Sequence, residues 1–462
     1  MSTAGVNNSV EPWRLLIVRR DGDEILLKAD GPTSALPQIV IPTQQRIAAN
    51  INRAVERELG LHVVSLYEIS SNDQAHPSRM FCHAAAVVCP RDCTPKGTYW
   101  TSIRSLCSCS FSGERDFAAV EAFLSPLDEG TDGHSQPFLR PGWFREVTTW
   151  VEKSLHPQPR HLTGPFYQLN ASSTFSLIRF ETDGGPVWFK AVGVPNLREF
   201  PITLTLARAC PSFLPKLLAS TAEWNAWLAE EASGPSLSSS ADILAWQRAA
   251  RSLAHLQIRA LPRTKEICRA GAHDLRFNRL ASLAMPFLEF VADCSANSQS
   301  QWAEPIRDHE LWELGTIIQD TLLALDRLHL PEAIGHMDLN PQNIFCSATE
   351  CVFLDWAETF VGCPFFSFEY LRQHFRRNCS FNSSSERQFR DAYLIPWREL
   401  ISAPDVELAA VHTPLAALFA YAATLWSSLT AQGSLSDSQQ AYLVGLARKM
   451  RRMAAEPTGV YR

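Results

Sequence analysis

The chain has 462 residues, 46% hydrophobic and 10% aromatic, with 42 Lys and Arg against 48 Asp and Glu for a net charge of −6. That length exceeds one ordinary core, so two or three domains are expected, and the composition is that of a globular protein. Charges of both signs are interspersed without long blocks, which argues against a general nucleic-acid or membrane surface.

In chain order, Trp13–Val18 and Glu24–Lys28 flank Arg20-Asp21-Gly22-Asp23, a hairpin by length and turn chemistry. Ile47, Ile51, Val55 and Leu59 recur every fourth residue and Gly60 follows, which predicts an amphipathic helix with its C-terminal stop. Val63–Ile69 and Phe81–Cys89 read as strands. Ser154–Arg160, with Pro157 and Pro159, reads as a short stiff linker. Beyond it Phe166–Asn170, Thr174–Phe180 and Val187–Ala191 are expected strands, the last two joined by the turn Asp183-Gly184-Gly185-Pro186. Ser239–Leu261 and Leu311–Leu330 carry apolar residues on a helical repeat. His255 and His329 lie near the ends of these helices and read as packing or capping residues. The uncharged run Thr413–Ser434 reads as a buried helix with Pro414 in its first turn, not as a membrane span.

The second of those helices leads into Ile334–Pro364, IGHMDLNPQNIFCSATECVFLDWAETFVGCP. Gly335-His336-Met337-Asp338 is polar and turn-like, which puts Asp338 on a loop. Asn343 opens one short strand, and Cys351–Leu354 form another that ends at Asp355. A turn about Thr349 sets Asn343 opposite Asp355 with Cβ atoms about 5 Å apart. An amide oxygen and a carboxylate so placed suit magnesium, which takes one or two carboxylates beside substrate phosphates. Asp338 is left to accept a proton. The 12 cysteines include the close sets Cys89 and Cys93, Cys107 and Cys109, and Cys346 and Cys351, none with zinc-site spacing. No signal peptide opens the chain, so they are expected to be reduced thiols of a cytoplasmic protein.

The ordered set His-x-Asp-x4-Asn, then a strand ending in Asp, resembles the catalytic and metal loops of the aminoglycoside phosphotransferase and choline kinase family, a branch of the protein-kinase-like fold. That family usually has His-Gly-Asp-Leu, Pro-x-Asn-Ile/Leu and Ile/Leu-Asp-Trp/Phe-Glu; here Met337 replaces the Gly, and Ala357 stands where the Glu often follows the Trp. The resemblance covers about 165–460. It implies ATP and Mg2+ as cofactors, with Lys190 at the phosphates and paired to Glu199 on the next helix. Ser172 and Ser173 would lie in the phosphate-covering loop Asn170–Thr174, which lacks glycine, and 230–237 would cross from small to large lobe. Asn343 and Asp355 would hold the metal. Asp338 and His336 would form the catalytic loop, Asp338 as proton acceptor and His336 more as its brace. Ser367 sits where relatives place a loop-bracing Asp.

Residues 12–155 resemble a Nudix domain, whose helix ends in Glu-x-Gly-hydrophobic, here Glu58-Leu59-Gly60-Leu61. Two of three metal-gathering helix acids are replaced by Ala54 and Arg57, and Ile39 and Gln45 replace the upstream Gly and Glu. The resemblance therefore implies a catalytically dead domain with a docking or regulatory role.

The reading is α+β: a small α/β, degenerate Nudix-like domain over 1–155, a kinase-like small lobe over 156–232 and a mostly helical large lobe over 233–462. The activity expected is ATP- and Mg-dependent transfer of the γ-phosphate to a hydroxyl of a small molecule, without a nucleic-acid or membrane partner. The alternative is a nucleotide-binding pseudokinase acting as sensor or scaffold. Substrate contacts are expected from 265–310 and 370–400, and Asp405 and Glu407 are either acids that meet a cationic substrate or ordinary surface charge.

Overall fold

A computed structural model describes residues 10–42, 46–69, 81–88, 94–128, 137–297, 306–379, 382–431 and 433–455. Gln45, Cys89 and Cys93 lie outside them. The chain divides into two compact units, 1–200 with 216–231, and 201–215 with 232–462.

The first unit begins with β1 (Val10–Arg19), β2 (Glu24–Asp30), β3 (Thr33–Ala35), β4 (Gln38–Pro42), α1 (Ile47–Leu59), β5 (Val63–Ile69), β6 (Phe81–Val87), β7 (Thr98–Ser102) and α2 (Glu114–Asp128). The strands form one mixed sheet in the order β3-β2-β1-β6-β5, with β4 also on β1 and β7 on β2. β1 pairs antiparallel with β2 and β4 but parallel with β6. Its side chains alternate between faces, and both faces are apolar. Trp13, Leu15 and Ile17 join Ile51 and Val55 of α1 in one core, whereas Leu16 and Val18 join Val120 and Phe123 of α2 in the other. The predicted helix spans its expected residues, and Gly60 ends it at φ +66°, a left-handed conformation that glycine adopts without strain.

Next come α3 (Trp143–Leu155), β8 (Leu162–Ala171), β9 (Phe175–Thr182), β10 (Val187–Val192), α4 (Glu199–Ala209), β11 (Leu217–Thr221) and β12 (Ala226–Glu230). The five strands form an antiparallel sheet, β11-β12-β10-β9-β8. Trp143, Val147, Val151 and Leu155, four residues apart, line one side of α3 and pack on Ile178, Phe189, Ala226 and Leu228. The expected boundary at 155 thus falls between a helix and the sheet it covers. Gln168 of β8 ties the two sheets together. Its Oε1 accepts from Ser65 N–H at 2.7 Å and from Asn52 at 3.0 Å, and its Nε2 donates to Ser65 O at 2.8 Å.

The second unit contains α5 (Ile243–Ala260), α6 (Thr264–Arg269), β13 (His273–Leu275), α7 (Phe277–Asn297), α8 (Asp308–Asp326), β14 (Ala333–His336), β15 (Ile344–Cys346), β16 (Cys351–Phe353), β17 (Thr359–Gly362), α9 (Phe365–Asn378), α10 (Ser383–Trp397), α11 (Ala403–Ala431) and α12 (Asp437–Ala455). Its core is one large apolar cluster running from Ile202 to Met450. α11 starts earlier than expected and carries Pro414 inside it. Its most apolar window is long enough to cross a membrane and is 61% buried within the fold. The strands of the first unit and the mostly helical second unit give the α+β class expected from the sequence.

Candidate active site

In β10, Val187, Phe189 and Ala191 face the α3 core, so strand alternation places Lys190 on the opposite face. There its ammonium lies 2.5 Å from Glu199 Oε1, with the Trp227 and Phe175 rings 5.7 and 5.9 Å away. Glu199 is the first residue of α4 and is 1% exposed. Its carboxylate meets the partial positive charge of the helix start as well as the lysine. Pro201 stands in the first turn, where its missing N–H has no helical partner to lose, so the helix begins at Glu199.

The glycine-free loop is a short connection between β8 and β9. The Ser172 hydroxyl accepts from Thr174 N–H at 3.1 Å and lies 3.0 Å from the Thr174 hydroxyl, so it braces its own turn. Ser173 is exposed at the tip.

In the second unit, β14 delivers the chain to the His336–Asp338 turn. Gly335 is required there, because a Cβ would sit 1.9 Å from the Phe360 ring of the neighbouring strand. His336 is wholly buried, with its N–H donating to Ser367 Oγ at 2.7 Å and its Nε2 3.1 Å from the carbonyl of Leu354. Burial lowers its pKa, and because a carbonyl can only accept, Nε2–H donates to it and joins the turn to the hairpin. Its role is that of a brace. Asp338 is exposed on the loop. Its pKa is raised, first by partial desolvation and then by the charges of Asp355 and Glu358, against the opposing pull of His336. Met337 N–H donates to Glu358 O at 3.0 Å, which sets this turn beside the segment that follows Asp355.

The hairpin corrects the expected register. Ile344 faces Phe353 and Cys346 faces Cys351, so Asn343 pairs with Leu354, whose N–H donates to Asn343 O at 2.9 Å. Asp355 is one residue further on, at φ 65° and ψ 64°, and this left-handed conformation turns the chain as it leaves the strand. The side chain of Asn343 donates to Asp338 O at 3.4 Å. Its amide oxygen and the Asp355 carboxylate are hard donors of the kind magnesium takes. Among the described residues no group of three His, Cys, Asp or Glu could hold a metal. The expectation of reduced thiols fails at Cys346 and Cys351. They face each other across the hairpin with Cα atoms 4.2 Å apart and form a disulfide, at the close-pair spacing of an antiparallel ladder.

Further residues bear on the site. Gln257 of α5, fully buried, donates to Ile334 O at 3.0 Å and Pro364 O at 2.9 Å and accepts from the Tyr393 hydroxyl at 2.7 Å, fixing both ends of the motif. Tyr421 of α11 has its pKa raised by burial first, with contributions from its Tyr442 partner and from Asp338 and Glu358. Neither carried a signal beyond helix periodicity. Glu358, one residue after the position where the family's Glu often stands, lies 3.3 Å from His273 Nε2. Glu407 is paired with Arg398 at 2.5 Å and Arg390 at 3.2 Å, and Asp405 accepts from Ser402 at 2.6 Å.

No family model and no curated protein matches the sequence. Solved structures do. A choline/ethanolamine kinase family protein from Mesorhizobium loti is 14% identical, with 67% of this chain and 96% of that one covered at a TM-score of 0.45. An aminoglycoside phosphotransferase in complex with GDP and kanamycin is 12% identical, covering 66% and 99% at 0.43. Plasmodium vivax ethanolamine kinase is 13% identical, covering 77% and 92% at 0.40.

Proposed function

We propose that the chain is an ATP- and magnesium-dependent phosphotransferase that moves the γ-phosphate to a hydroxyl of a small molecule. One observation supports this reading: the Asn343 amide bonds the main-chain carbonyl of the exposed Asp338, His336 bonds the carbonyl of Leu354, and Asp355 follows directly on that residue. Asp338 accepts the proton of the attacking hydroxyl, helped by a raised pKa that brings it closer to working pH. Magnesium, when bound with the nucleotide at Asn343 and Asp355, neutralises phosphate charge. Lys190, positioned by Glu199, binds phosphate oxygens, and most of the rate enhancement comes from placement and charge neutralisation. The first domain serves docking or regulation, since Ala54 is buried and Arg57 pairs with Glu58 where a hydrolase would gather metal.

The test is transfer from γ-labelled ATP to a panel of hydroxylated metabolites, preceded by a thermal-shift screen with a non-hydrolysable ATP analogue. Labelled product that vanishes in Asp338→Asn supports the phosphotransferase. Tight ATP–Mg binding with no transfer across the panel favours the pseudokinase alternative, which the glycine-free turn at Ser172 and Ser173 favours in turn.

A further inference from the structure

Away from the candidate site, the segment between β7 and α2 holds two thiols together at the surface. Residues 105–112 read Ser-Leu-Cys-Ser-Cys-Ser-Phe-Ser, and Ser108–Ser110 close a single 3₁₀ turn. Cys107 and Cys109 are both exposed, with Sγ atoms 2.6 Å apart. The backbone beneath them is held. Ser110 N–H donates to Cys107 O at 2.9 Å, Cys107 N–H donates to Ser110 Oγ at 3.2 Å, and Ser112 N–H donates to Ser34 O at 2.9 Å. Phe111 is buried in the first-domain core. Closeness of the two sulfurs is thus a property of the folded turn. Among the described residues every other free cysteine is buried or half-buried, so of these thiols the pair is the most open to a dissolved oxidant.

We propose that Cys107 and Cys109 form a redox-active dithiol, a modification site for low-molecular-weight disulfides of the glutathione type. The thiolate of Cys107 attacks one sulfur of the small disulfide, forming a mixed disulfide and expelling a glutathione thiolate. Cys109, giving up its proton, attacks Cys107 Sγ and expels the second glutathione. The protein dithiol loses two electrons and two protons, and glutathione disulfide is reduced to two glutathione thiols. The order of attack follows from the contact between them: hydrogen bonds from Cys109 and then Ser110 lower the pKa of Cys107, whereas the same contact raises that of Cys109. The nucleophile is the thiol with more thiolate, and the resolving thiol is its neighbour. The buried Cys346–Cys351 disulfide is out of reach of this exchange.

Trypsin releases 105–115 as one peptide containing both cysteines and no other. Full-length protein is incubated with glutathione disulfide, blocked with an alkylating reagent and digested. The expected peptide is lighter by two hydrogens and unalkylated, with two glutathione thiols released per chain. Cys109→Ser should stop at a single glutathione adduct on Cys107, and should form it severalfold faster than Cys107→Ser forms one on Cys109. A peptide that takes two alkyl groups under conditions that modify a control surface thiol overturns the proposal, as does one carrying glutathione on both cysteines. Equal rates for the single variants overturn the assignment of Cys107 as the attacking thiol.

Discussion

Lys190, Asp338 and Asp355 have separable jobs in the proposed reaction, and single substitutions separate them. Lys190→Ala removes the cation that lies against the buried Glu199 carboxylate. ATP binding should weaken by about 1.5–3 kcal/mol while adenosine binding hardly changes, which calorimetry with the two ligands distinguishes. Equal losses would mean that Lys190 is not at the phosphates. Asp355→Ala should abolish the magnesium-dependent tightening of ATP binding, because the metal loses its charged ligand. Asp338→Asn keeps size and hydrogen bonding but cannot accept a proton, so ATP–Mg affinity should stay within about threefold while turnover falls roughly 10²–10⁴-fold. Matching losses of nucleotide binding in both aspartate variants would contradict this division.

At the scale of elements, the loop stands on braces from elsewhere in the chain. Ser367 accepts the buried N–H of His336. Ser367→Ala leaves that donor without a partner, and denaturant titration should record a loss of about 1–3 kcal/mol. Gln168 satisfies the backbone N–H and C=O of Ser65, itself 1% exposed, so Gln168→Ala should lower the melting temperature. In β6, His83 is 1% exposed, lies edge-on to Trp13 at 6.1 Å and has its pKa lowered by burial to about 3. The unfolded chain binds that proton below about pH 6.5 while the folded chain does not, so stability is full above that pH and declines as acidity increases. The contribution is about 1.4 kcal/mol per pH unit between roughly 6 and 3. His83→Phe should flatten this slope in melts recorded across that range; an unchanged slope would assign the acid sensitivity elsewhere.

For the molecule as a whole, the first domain shares Gln168 with the small-lobe sheet, and α3 covers that sheet, so its activity is best tested in the full chain. Full-length protein carrying Asp338→Asn should hydrolyse no nucleoside diphosphate derivative with magnesium or manganese. Turnover clearly above a boiled control would restore a hydrolase reading despite Ala54 and Arg57.

What the sequence determined by itself was local. Four-residue spacing ending at Gly60 defined α1, alternation defined β8 to β10, and His336, Asp338, Asn343 and Asp355 lie close enough in the chain that their order already specifies a loop followed by a hairpin. Tertiary structure decided whatever depends on groups distant in sequence or on a one-residue choice. A single step of register set Leu354, not Asp355, opposite Asn343 and brought Cys346 against Cys351. A turn shifted by half a residue leaves almost the same sequence pattern, so composition cannot choose between the two. α3 belongs with the sheet that follows it because Trp143 and Val151 find apolar partners there, a fact that concerns the partners rather than the helix. Gln257, Ser367 and Tyr421 look like ordinary helix residues in the sequence. They acquire a role only because folding places buried backbone groups or acidic neighbours beside them, at separations of 31 to 107 residues where they are hydrogen-bonded.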